Sequence, residues 1–80
     1  MLKMIDNSQA NYASLLVNEE SNVIVLFSYN TPVAMSVVGV HFVTDKRYSA
    51  TTNRHIKKFV GNNEFTVTTQ TAIESWLHSS

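Results

Sequence analysis

The chain has no cysteine, one proline and two glycines in 80 residues. Without cysteine, disulfides and thiolate-ligated zinc are excluded, and such a chain suits a reducing compartment. With Gly39 and Gly61 as its only glycines, each needed for a turn, there is no glycine-rich loop to cradle phosphate. No run approaches the ~20 apolar residues of a membrane span. Residues 1–6 (Met-Leu-Lys-Met-Ile-Asp) lack the apolar centre of a signal peptide, so a cytoplasmic setting without membrane contact is expected. Net charge is also zero.

What is present points to one small folded domain spanning 1–80. Apolar residues make up 44% and charged residues 15%, a composition that folds rather than staying disordered. No linker, repeat array or low-complexity tract divides it. A domain of this size buries little more than about 60% of its unfolded surface. Small domains commonly add a disulfide, a metal or a partner subunit; with no cysteine, a homodimer is the expected staple.

The zero net charge conceals a lopsided distribution. Residues 46–58 hold Lys46, Arg47, Arg54, Lys57 and Lys58 and no acid, whereas the remainder holds Lys3 against six acids. One stretch is therefore strongly basic within a neutral molecule.

Periodicity gives the fold class. Residues 10–17 read as a strand or a short helix, and the short polar turn after them favours the strand. Residues 22–27 are rich in β-branched and aromatic side chains and read as a strand covered on both faces. Tyr29-Asn30-Thr31-Pro32 marks a turn. Residues 33–38 and 40–44 read as two more strands, and Asp45-Lys46 as a tight turn into an extended 47–50. Helical spacing then takes over. Thr51-Thr52 supplies an N-cap hydroxyl, Ile56, Phe59 and Val60 form one apolar face, and Gly61 caps the end. Residues 65–67 read as extended, and Thr68-Thr69 caps a last helix carrying Ala72, Ile73, Trp76 and Leu77 on one side. The expectation is an α+β fold: an antiparallel meander of four or five short strands, with two short helices packed on one face.

The two strand-to-helix units align at an offset of seventeen, pairing Thr51-Thr52 with Thr68-Thr69, Ile56 with Ile73 and Phe59 with Trp76. Duplication would explain this. A period below roughly 20 residues favours convergent capping chemistry instead.

On helix 52–60, Arg54, Lys57 and Lys58 lie opposite Ile56, Phe59 and Val60 at 100° per residue. The apolar side docks, so the cations face water, and Lys46 and Arg47 can extend the strip. Such a cluster attracts phosphates or an acidic protein surface. The competing reading is an ordinary solvated face whose cations suit the helix C-terminus. His55 falls on the flank between apolar and basic sides and reads as an interface or surface histidine. His41 and His78 are more isolated, and no His pair at i, i+4 suggests a metal. No serine or threonine lies in a nucleophile elbow, and Glu19-Glu20 is a solvated turn pair. Phe59 and Trp76 are expected in the core. No catalytic residue, metal or cofactor is expected. The candidate binding set is Lys46, Arg47, Arg54, His55, Lys57 and Lys58.

Two segments, 27–34 (FSYNTPVA) and 48–59 (YSATTNRHIKKF), resemble a family of small bacteriophage-encoded proteins with a SYNTPVA turn and a YSxTTxxHIxxF junction. The resemblance spans roughly residues 22–60. It implies a phage origin and a bacterial host cytoplasm, and it carries no catalytic residues over. By analogy of class it suggests a small protein that inhibits or redirects a host or defence protein, an anti-CRISPR-like inhibitor being one version. The partner could then be a nucleoprotein complex. Direct nucleic-acid binding through the same strip is the alternative, opposed by the lack of an aromatic residue within the basic face to stack a base. A virion assembly role is the third.

Overall fold

The computed structural model describes residues 3–6 and 11–78. Six strands form one sheet in sequence order: β1 Lys3–Asp6, β2 Tyr12–Asn18, β3 Val23–Ser28, β4 Thr31–Val37, β5 Val40–Thr44 and β6 Phe65–Thr68. Helix α1 (Ala50–Val60) lies between β5 and β6, and α2 (Gln70–His78) follows β6. Strands β1 to β5 are an antiparallel meander, so the expected α+β fold is present. The ambiguous 10–17 segment is strand β2.

Tight turns make the meander. Tyr29 and Asn30 connect β3 to β4 with φ of 52° and 64°, and Val38 and Gly39 connect β4 to β5 with φ of 50° and 80°. Positive φ at both central residues is the mark of a type I′ turn, whose twist matches that of the flanking strands. Pro32 can sit in this central sheet because the register shifts beside it, between Leu26 and Phe27, and a bulge tolerates a missing N–H.

Four details differ from the sequence reading. The sixth strand pairs parallel to β5, since α1 carries the chain across before β6 begins. Residues 47–50 do not form a strand: the segment ahead of α1 is irregular and the helix already starts at Ala50. The cap of α1 is Ser49, whose Oγ accepts from the Thr52 N–H at 3.3 Å, which turns Thr52 inward. Thr69 caps α2 by accepting from the Ala72 N–H at 3.1 Å. The seventeen-residue alignment therefore matches the cap Thr69 to the inward Thr52, and the two units do not correspond residue by residue.

The fourth difference concerns the layers. Sheet side chains alternate between faces, and the two helices take opposite ones. Beneath α1 lie Tyr12, Leu26, Val33, Ala34 and Val43, joined by Ile56, Phe59 and Val60 of the helix. Beneath α2 lie Val17, Val23, Val25 and Met35, joined by Ile73 and Leu77. Each helix has one apolar stripe and each sheet face is apolar over β3 and β4, so one helix covers each. Trp76, expected in the core, is 42% exposed at the margin of its stripe.

Candidate functional site

Helix α1 is anchored by a polar pin as well as by its apolar stripe. Ser28, the last residue of β3, points to the same face as Leu26. Its Oγ lies 2.8 Å from His55 Nδ1 and 3.0 Å from Thr52 Oγ1. Thr52 and His55 are one turn apart on α1, so a single strand hydroxyl meets both. All three are buried, with 2–3% of their surface exposed. Burial without partners would cost each polar group heavily, and the shared contact removes that cost.

Aromatic rings close the pin. Tyr12 packs edge-on to His55 at 5.4 Å between centroids, and Tyr29 lies tilted at 6.2 Å. The Lys58 ammonium stands over the Tyr12 ring, 5.5 Å from its centroid, within cation–π range. This corrects the surface reading of His55: rings from β2 and from the β3–β4 turn reach over the helix flank and bury it. His55 fastens α1 and is not part of the exposed strip.

A serine hydroxyl near a histidine nitrogen invites comparison with an activated nucleophile. Here the hydroxyl is shared with Thr52 and sealed from solvent, an arrangement suited to holding α1 on the sheet.

The cations stand where the helical period places them. Arg54, Lys57 and Lys58 are exposed, whereas Ile56 and Phe59 are partly buried against the core and Val60 is 4% exposed. Arg54 donates to Thr51 Oγ1 at 3.2 Å along the same outer side. Lys46 and Arg47 are exposed in the segment leading into α1. Sequence reasoning did not find Tyr29, which is 49% exposed and is brought beside His55 at the rim of this face. Its signal is the Tyr29-Asn30 turn, which places Tyr29 between β3 and β4.

Among the described residues, no group of three His, Asp or Glu is placed to hold a metal ion, and no helix is long and apolar enough to cross a membrane. His41 lies in β5 with its ring edge-on to Phe59 at 6.0 Å, its Nδ1 buried with no hydrogen-bond partner among the described residues. The His78 side chain lies outside the described residues.

Two grooves flank β6. One, of about 310 Å³, is floored by Ile56, Val60 and Phe65 beside Lys57. The other, of about 380 Å³, includes His41, Glu64 and Thr66. Neither includes Ser28 or His55.

No curated protein and no solved structure matches the chain. A family model, described as a family of unknown function (DUF8033), matches residues 1–75, which takes in every strand, α1 and most of α2. The chain belongs to the family of unknown function DUF8033.

Proposed function

We propose that this domain is a non-enzymatic binding protein that occupies an acidic surface of a host or defence protein with the outer side of α1. The observation behind this reading is the division of α1 into two sides. Thr52, His55, Ile56, Phe59 and Val60 are held against the sheet, while Arg54, Lys57 and Lys58 are left in solvent. An exposed cationic stripe on a rigidly held helix gives electrostatic complementarity without a backbone-ordering cost at the moment of binding. The resemblance of segments 27–34 and 48–59 to small phage-encoded proteins supports a bacterial host cytoplasm and an inhibitory role. Lys46 and Arg47 would extend the contact.

The test is Arg54→Glu with Lys57→Glu, which reverses two charges without touching the Tyr12–Lys58 contact. Far-ultraviolet circular dichroism should be unchanged, and pull-downs from the host should lose their partner. Recovery of the same partner at the same strength would sink the proposal.

Tyr29 supports a second reading. An exposed aromatic residue at the rim of a cationic face can stack a base, so single-stranded nucleic acid is the alternative ligand. Affinity for arbitrary oligonucleotides should then fall by about 0.7 log unit per log unit of salt for each phosphate neutralised. It should also weaken in Tyr29→Ala. Absence of binding at low salt removes this reading.

A further inference from the structure

The two edges of the sheet are built differently. Edge strand β1, Lys3-Met4-Ile5-Asp6, is flanked by charges and interrupted by a register shift between Met4 and Asp6. Charge and irregularity are how natural sheets blunt an edge against strand addition. Edge strand β6, Phe65-Thr66-Val67-Thr68, has neither: it carries no charge and pairs in unbroken register with β5. Its Phe65 and Val67 are 53% and 59% exposed. A neutral, regularly paired strand rich in β-branched residues, with one side open, is a template for another strand.

We propose that β6 joins a second copy of this chain, extending the sheet across a two-fold axis. A two-fold perpendicular to the sheet keeps each face on its own side, so opposed residues must share a face. Phe65 and Val67 lie on the α1 side, opposite His41 and Val43 of β5. A register centred on Thr66 then sets Phe65 against Val67 of the second copy, twice over, with Thr66 against its own counterpart. Aromatic–β-branched and Thr–Thr pairs are the favourable cross-strand combinations.

Charge permits this assembly. Helix α1 lies over β3 and β4, so the two helices would stand about six strand spacings apart, roughly 29 Å. That exceeds the Debye length of about 8 Å at physiological salt, and the cations of the two α1 helices do not repel across it. Two four-residue strands alone bury less than the ~1,000 Å² expected of a stable interface. Ile56 and Phe65, in the groove beside β6, continue the contact inward. An interface of this size is that of a weak, reversible dimer.

Sedimentation velocity across the micromolar range tests the association, and the absence of native cysteine makes single-cysteine probes clean. Wild type should shift from monomer to dimer with concentration, and Val67→Lys should remain monomeric with an unchanged circular dichroism spectrum. Thr66→Cys should cross-link readily, because directly opposed Cα atoms fall within disulfide reach of about 4.4–6.8 Å. Thr68→Cys should not, since its counterparts are about 13 Å apart in this register. A wild type that stays monomeric throughout overturns the proposal. So does a dimer in which Thr68→Cys links as well as Thr66→Cys, or in which Thr66→Cys fails to link. The cross-links decide the matter even if Val67→Lys disturbs folding.

Discussion

Ser28 Oγ and His55 Nδ1 meet at 2.8 Å across 27 residues of sequence, inside the layer between the sheet and α1. Because Ser28 also meets Thr52, Ser28→Ala deprives two buried groups of that partner at once. We expect a loss of about 1–3 kcal/mol, the cost of an unsatisfied buried polar group. Urea unfolding measures it. Ser28→Ala combined with Thr52→Val should lose less than the sum of the single changes, because the two side chains share one contact.

The second helix has its own polar pin. Gln70 Oε1 accepts from Thr44 Oγ1 at 2.7 Å and from the Tyr48 hydroxyl at 3.3 Å, while its Nε2 donates to the Pro32 carbonyl. Gln70→Leu removes all three bonds at the first residue of α2. We expect about 1–3 kcal/mol of destabilisation, chiefly from the buried Thr44 hydroxyl losing its acceptor. Amide exchange should accelerate in α2 before it does in α1; equal acceleration in both helices would count against this local role.

Ile73 is 0% exposed at the centre of the α2 core. Replacing it with alanine should cost about 2–5 kcal/mol through lost burial and the cavity left behind. A domain this small holds only about 5–15 kcal/mol in total. The variant should therefore lower the melting temperature by at least about 8 °C, at about 4–8 °C per kcal/mol. A shift of only a few degrees would show that the neighbouring side chains collapse into the space.

Val38 adopts φ of 50° in the β4–β5 turn and is 69% exposed. A β-branched residue in that region is strained, and asparagine tolerates it far better. Val38→Asn should stabilise the domain by about 1 kcal/mol, read as a raised urea midpoint. No gain would mean that the turn's strain is relieved in some other way.

Much of the sheet could be read from residue order alone. Strands β3 to β5 follow from β-branched runs separated by the turn at 29–32 and by Gly39, although Thr31 and Pro32 belong to β4 and Val38 to the turn, and the outward cations follow from the 3.6-residue period around Ile56, Phe59 and Val60. Other features depend on distant residues and leave no local trace. The period of α2 identifies Ile73 and Leu77 as its apolar stripe, but not which face of the sheet receives them. The fate of His55 turns on Tyr12, Tyr29 and Ser28, none of which lies on its helix. Local sequence does not place the cap of α1, because three hydroxyl residues, Ser49, Thr51 and Thr52, compete for one role, and only the turn into the helix decides between them. Strand β1 is too short to show an alternation.

Strands β3 and β4 act as a party wall. Leu26 and Ala34 look into one room, Val25 and Met35 into the other, and stripping either room bare would leave that wall without support on one side. The middle of the molecule must consequently melt as a single event. The fluorescence of the lone tryptophan, Trp76 on α2, and the backbone signal from all eight elements should trace one superimposable curve.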